Sequence, residues 1–252
     1  MTAIWAEEVG PEDAPLIVLI HGSMDRSAGL LKLSRRLHGA LRVLRYDRRG
    51  YGRSAPHPGP FGIAEQVDDL VALLAGRRAV VFGHSYGGNV ALALAARRPD
   101  LVQAVGVYEA PLSWLGWWPP ATAGGDALAA RDDPALAAEQ FMRRLLGDER
   151  WQRLPFATRR ARRTEGTAMI GEVSDLQSHA PWEPEAITVP AVAIHGAGGA
   201  AHHSASTAYV GEVLADCTIV EIEGARHFGP NTHPDAVAAA LVELVSRAAT
   251  RP

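Results

Sequence analysis

Ser85 stands in Gly83-His84-Ser85-Tyr86-Gly87-Gly88, a G-x-S-x-G pattern with an apolar run before it (79–82) and a helix-forming, alanine-rich stretch after it (89–96). A serine hydroxyl becomes a useful nucleophile when a sharp turn lifts it into a pocket and a base takes its proton. A turn between strand and helix supplies the first condition. Small residues two before and two after the serine let the backbone press against its neighbours, and Gly83 and Gly87 hold those places. The helix start also offers backbone N–H groups and a positive dipole end to a developing oxyanion. Ten histidines are candidates for the base. His227, in Gly224-Ala225-Arg226-His227-Phe228, follows an apolar run in a glycine-flexed loop, whereas His38, His57, His179 and His233 sit in surface-like contexts. His202-His203 reads as solvated loop: adjacent side chains diverge, and no Asp, Glu or Cys stands nearby at metal-ligand spacing.

The elements that hold these groups show as alternation. Apolar runs at 16–20, 41–46, 79–82, 102–108, 191–194 and 218–222 predict strands, the first two of them buried. Between them, Val67, Leu70, Val71 and Leu74 mark one helix face ahead of Gly76. Pro234 opens another helix, with Val237, Leu241, Val242 and Val245 on its apolar side. Such alternation predicts an α/β fold, a doubly wound and mostly parallel sheet covered on both faces. It breaks between about Pro111 and Pro190, where Trp114, Trp117 and Trp118 are followed by proline-, glycine- and arginine-rich stretches. This reads as an inserted helical cap at 112–186, with the core at 1–111 and 187–252. Within the cap, Asp133-Pro134 starts an amphipathic helix that ends at Gly147, and 159–176 holds another.

With these motifs in this order, the sequence resembles the α/β-hydrolase fold family over nearly the whole chain; for the cap, only the position matches. His21-Gly22-Ser23-Met24 directly follows the first buried strand, where the family has its oxyanion loop. That implies a hole formed by the backbone N–H groups of Ser23 and Tyr86, with the N–H of Met24 as the alternative to that of Ser23. Asp47-Arg48-Arg49-Gly50-Tyr51-Gly52-Arg53-Ser54 is similar to the family's loop-shaping D-x-R-G-x-G-x-S turn. His227 stands where the family carries its general base, and His21 and His84 where its histidines are scaffold. Only 4–9 precede the first buried strand, so the family's first hairpin looks trimmed. One feature departs from the pattern. The usual triad aspartate, in G-x-x-D, is replaced in His195-Gly196-Ala197-Gly198-Gly199 by Gly199, and no carboxylate follows until Glu212. Some members place the acid after the strand that follows the nucleophile helix, and Glu109 in Val107-Tyr108-Glu109-Ala110-Pro111 holds that place. Glu109 as a loop or cap anchor, Asp25, Glu172 or Asp175 as the acid, and a dyad without an acid all stay open.

The resemblance implies a serine hydrolase in which Ser85 attacks, His227 shuttles the proton and Glu109 orients the imidazole. A small, fairly apolar carboxylic ester, thioester or lactone would suit a pocket lined by Met24, Trp114, Trp117 and Trp118, although the tryptophans could equally be cap packing. C–C bond hydrolysis, cofactor-free perhydrolysis on the same residues, and a ligand-binding protein of low turnover remain alternatives. Serine at the nucleophile position disfavours the dehalogenases and epoxide hydrolases of this fold, which attack with a carboxylate. No phosphate-loop motif implies a nucleotide cofactor. One cysteine, Cys217, excludes an intramolecular disulfide and a multi-thiolate metal site. With 25 Lys+Arg against 28 Asp+Glu, a net charge of −3 offers no basic excess for nucleic acid. Residues 1–8 lack a signal core, and no stretch approaches the ~20 apolar residues of a membrane helix. The expectation is a cytoplasmic globule that needs no cofactor or metal and acts on a small-molecule substrate.

Overall fold

A computed structural model describes residues 3–250; Met1, Thr2, Arg251 and Pro252, at the ends of the expected core, lie outside them. Seven strands among the described residues form one sheet: β1 (Ala6–Val9), β2 (Leu16–Ile20), β3 (Arg42–Tyr46), β4 (Ala79–His84), β5 (Val102–Tyr108), β6 (Ala191–Gly196) and β7 (Cys217–Ile222). Their order is β1-β3-β2-β4-β5-β6-β7, with β1 antiparallel to β3 and every other pair parallel. The helices are α1 (Leu31–Leu37), α2 (Ile63–Leu74), α3 (Tyr86–Arg97), α4 (Ala123–Ala129), α5 (Pro134–Leu146), α6 (Asp148–Arg153), α7 (Phe156–Thr164), α8 (Gly166–Ser178), α9 (Ala201–Val213), α10 (Gly229–Thr232) and α11 (Pro234–Ala249).

The sheet is covered on both faces, and β2 shows why its sequence is apolar throughout. Leu16, Val18 and Ile20 pack into one cluster with Val67 and Leu70 of α2 and Val90 and Leu94 of α3. Ile17 and Leu19 face the other way, against Leu33 and Leu37 of α1 and Val237 and Leu241 of α11. A strand buried on both sides needs no polar alternation. The outer strands differ. β1 reads Ala-Glu-Glu-Val because it is an edge, where Glu7 pairs with Arg45 and Glu8 with Arg42 and Arg77. β7 is the opposite edge and leaves Ile219 exposed. On α11 the buried face is Val237, Leu241 and Leu244, at i, i+4 and i+7; Val242 turns to solvent, contrary to its place in the expected stripe.

Between β5 and β6 the alternation gives way to α4–α8. The Asp133 side chain accepts the N–H groups of Ala135 and Leu136, both at 3.1 Å, and α5 ends at Gly147, where φ is +82°. The single helix expected over 159–176 is two, α7 and α8, separated at Glu165. These helices share a small core of their own around Phe141, Met142, Trp151 and Met169. No helix among the described residues is long and apolar enough to cross a membrane.

Candidate active site

β4 runs into Ser85, and α3 begins at the next residue. Ser85 has φ +55° and ψ −126°, a backbone state that L-residues avoid and that persists only where the surroundings enforce it. Its N–H donates to Tyr108 O and its carbonyl accepts from Gly88 N–H, both at 2.8 Å. The flanking glycines leave no alternative. A Cβ on Gly83 would collide with the Gly87 carbonyl, and one on Gly87 would lie 2.5 Å from Ile20 O. On the facing loop, a Cβ on Gly22 would stand 3.0 Å from the Cβ of Ser85, so that loop lies directly against the serine. Ser23, Ser85, Tyr86 and His227 line one cavity.

His227 lies on the loop after β7, and Nδ1–H donates to Glu109 Oε2 at 2.7 Å, which leaves the Nε2 lone pair free to take a proton. Glu109 directly follows β5, is wholly buried and has φ +48°; its Oε1 accepts the Gly196 N–H at 3.0 Å. The same strand end fixes the loop backbone, since Tyr108 OH donates to Arg226 O at 2.8 Å. From the other side, His84 Nε2–H donates to His227 O at 2.7 Å. Burial first, and then the charge that His227 would carry, push His84 down to about 3, so it stays neutral beside His227.

The structure corrects the reading of His202-His203. They open α9 and line the cavity instead of lying in solvated loop. The His203 ring stacks on His227, with centroids 4.5 Å apart and planes 16° apart, and its Nε2 is 3.8 Å from Glu109 Oε2. Sheet order explains the placement: β6 lies between β5 and β7, so the helix leaving β6 begins between Glu109 and His227. Strand order was the signal that could have found His203. Burial, and then repulsion from His227, His202 and His84, hold its imidazole far below the ordinary histidine range. Glu109, His203 and His227 bring ligand-type atoms within 4.8 Å of one another. Stacked rings keep their lone pairs in nearly parallel planes, so the two imidazoles cannot converge on one ion without rotating.

Residues 17–240 match the profile of the Alpha/beta hydrolase family. The chain belongs to this family. It is 25% identical over 255 aligned positions to the 2-(acetamidomethylene)succinate hydrolase of Mesorhizobium japonicum, spanning 92% of this chain and 88% of that protein. It is 35% identical to the AB hydrolase superfamily protein YfhM of Bacillus subtilis, in a match of 108 residues that spans 40% of this chain and only 38% of that protein. Among solved structures, the enol-lactonase from Burkholderia xenovorans LB400 superposes with a TM-score of 0.77 at 26% identity, over 96% of both chains. A thermophilic esterase from Thermogutta terrifontis shares the fold with a TM-score of 0.76 at 21% identity, over 97% of this chain and 93% of that one.

The cavity of this α/β hydrolase measures about 620 Å³, and Leu128, Phe141, Leu145, Val173 and Leu176 give it an apolar wall. Of the four residues expected to line it, only Trp118 does, with its ring 4.9 Å from His202. The other three lie elsewhere. Met24, at φ +57°, turns away into the core of α4–α8 beside Tyr51 and Trp151. Trp114 packs edge-on against Trp182 at 5.7 Å, and Trp117 lies half-exposed between Trp118 and Tyr209. The other carboxylates weighed as the acid are engaged elsewhere. Asp175 accepts the Ile63 N–H at 2.9 Å, and Glu172 binds Arg48 and Ser23. Asp25 lines the cavity and accepts the Arg26 N–H, with burial pushing its carboxyl up.

Proposed function

We propose that this chain is a serine hydrolase that cleaves a small, fairly apolar carboxylic ester, thioester or lactone through an acyl-enzyme on Ser85. The observation that carries the reading is the 2.7 Å bond from His227 Nδ1 to the buried Glu109 carboxylate, with His227 lining a cavity that the strained Ser85 also lines. His227 Nε2 takes the hydroxyl proton as Ser85 Oγ adds to the acyl carbon, and Glu109 stabilises the imidazolium that results. The oxyanion accepts the N–H groups of Ser23 and Tyr86. His227 then returns the proton to the leaving oxygen or sulfur. Water, deprotonated by the same nitrogen, attacks the acyl carbon, and Ser85 leaves with the proton.

Family membership and the names of relatives, a lipase and an enol-lactonase among them, support hydrolysis. The apolar wall from α4, α5 and α8 supports an apolar acyl group, with residues 112–186 acting as a cap that excludes water from it. With Glu109 on the imidazole, the missing aspartate at Gly199 lends no support to a ligand-binding protein of low turnover. The single cysteine fits a cytoplasmic setting. The test is turnover of a p-nitrophenyl ester series from acetate to octanoate, with matching thioesters and a lactone. The wild type should hydrolyse at least one class, and Ser85→Ala should lose about 10³-fold or more in kcat. Near-wild-type turnover by Ser85→Ala would overturn the assignment.

A further inference from the structure

Behind the cavity wall lies a group that does not itself line the cavity: the ion pair between Arg48, after β3, and Glu172, on α8, both wholly buried. Taking two charges out of water is costly, and a buried pair seldom stabilises a fold more than apolar side chains would. What the pair touches gives it a purpose. Glu172 Oε2 accepts Ser23 Oγ–H at 2.7 Å and Tyr51 OH at 2.8 Å, while Oε1 accepts from Gln66 Nε2 at 2.9 Å. Arg48 Nε donates to His21 O at 2.9 Å, and its backbone N–H to His21 Nε2 at 2.9 Å. The guanidinium lies over the Tyr86 ring, 4.9 Å from its centroid. One buried pair therefore contacts His21 and Ser23, on the loop that lies against Ser85, and Tyr86, which opens α3 directly after it. A second carboxylate reinforces one of them: Glu165, preceding α8, pairs with Arg26 at 2.6 Å and accepts the Gly52 N–H at 2.9 Å.

We propose that the Arg48–Glu172 pair sets the relative placement of the two oxyanion donors, and that Glu172 is a positioning residue acting through Ser23. This rests on the reading of Ser23 and Tyr86 as those donors. An oxyanion hole works because its N–H groups already point where charge will develop, so the group that fixes their loops controls turnover without meeting the substrate. Since α8 belongs to the segment above the site, its seating and the shape of the hole are coupled through one carboxylate.

Full-length Ser23→Ala, Glu172→Gln and the double variant test this, Ser23→Ala keeping both the backbone N–H and the ion pair. The readouts are kcat and KM on one p-nitrophenyl ester, and the Ki of a trifluoromethyl ketone carrying the same acyl chain, whose adduct on Ser85 bears an oxyanion. Each single variant should lower kcat about tenfold, less than the loss of a whole donor, with KM within about twofold and Ki raised in step. The double variant should lose no more than Glu172→Gln alone, because both act through one contact. Unchanged kcat and Ki in Ser23→Ala, or losses that multiply in the double variant, would overturn the proposal. If Glu172→Gln does not fold, Ser23→Ala decides the matter by itself. Ester turnover that survives in Ser85→Ala would defeat the hydrolase reading instead, which keeps the two failures distinct.

Discussion

Glu109 fills the space that a side chain on Gly199 would need: a Cβ there would stand 3.1 Å from Glu109 Oε1 and 3.0 Å from Gly196 O. The loop after β6 and the end of β5 thus converge on one place beside His227, where a side chain at 199 would crowd the Glu109 carboxylate. Glu109→Gln should keep the shape and lower kcat by about 10²- to 10⁴-fold, since a neutral amide cannot stabilise the imidazolium. Steady-state kinetics at neutral pH measures it.

This crowding also dictates how activity can be rescued. Gly199→Asp added to the wild type or to Glu109→Gln should crowd the site and lower activity further. Added to Glu109→Gly, which empties that place and suits the positive φ at 109, it should restore part of the lost kcat. A Glu109→Gly, Gly199→Asp protein no more active than Glu109→Gly would show that position 199 does not reach the imidazole.

The elbow should tolerate almost nothing. Gly83→Ala or Gly87→Ala places a methyl group against backbone carbonyls that cannot withdraw. Each should cost about 3 kcal/mol or more, read as a fall in the urea midpoint.

The tryptophans should separate by role. Trp118→Ala is expected to change KM and acyl-chain preference, because Trp118 alone of the three lines the cavity. Trp114→Ala should lower stability through lost packing on Trp182, and Trp117→Ala should change little; both should leave chain preference intact. Melting curves and kcat/KM across the ester series distinguish these outcomes.

Acid should destabilise the fold through histidines outside the proposed triad. His84 and His203 are held neutral by burial, then by neighbouring imidazoles, while in the unfolded chain both titrate near 6.5. From about pH 6.5 down to about 3 the unfolded chain binds more protons, so stability rises with pH across that window and is lost as pH falls. Each histidine contributes up to ~1.4 kcal/mol per pH unit. Tm should therefore fall between pH 7 and 4.5, and less steeply in His203→Phe, which keeps the stack without the titrating nitrogens. Parallel curves would contradict this origin.

What could be read from the sequence followed how local its cause was. The strand at 16–20 is apolar throughout because both its faces are buried, and the Ser85 turn announces itself through glycines that its own backbone requires. β1 left no apolar signature, because an edge strand whose glutamates pair with arginines looks like surface. Chain position brought Glu109 forward, but only the fold distinguishes it from Asp25, Glu172 and Asp175. His203 acquires its place from strand order, and nothing in the residues around it records the stack. Glu172 did leave a trace: a carboxylate among Ala168, Met169 and Leu176 on the buried side of α8 must have buried partners.

The most direct measurement is intact-protein mass spectrometry after brief exposure to a fluorophosphonate, followed by peptide mapping. A single adduct should form on Ser85, more slowly by orders of magnitude in His227→Ala and not at all in Ser85→Ala. An adduct on another residue, or a wild-type protein that turns over esters yet takes no label at Ser85, would contradict the proposed triad.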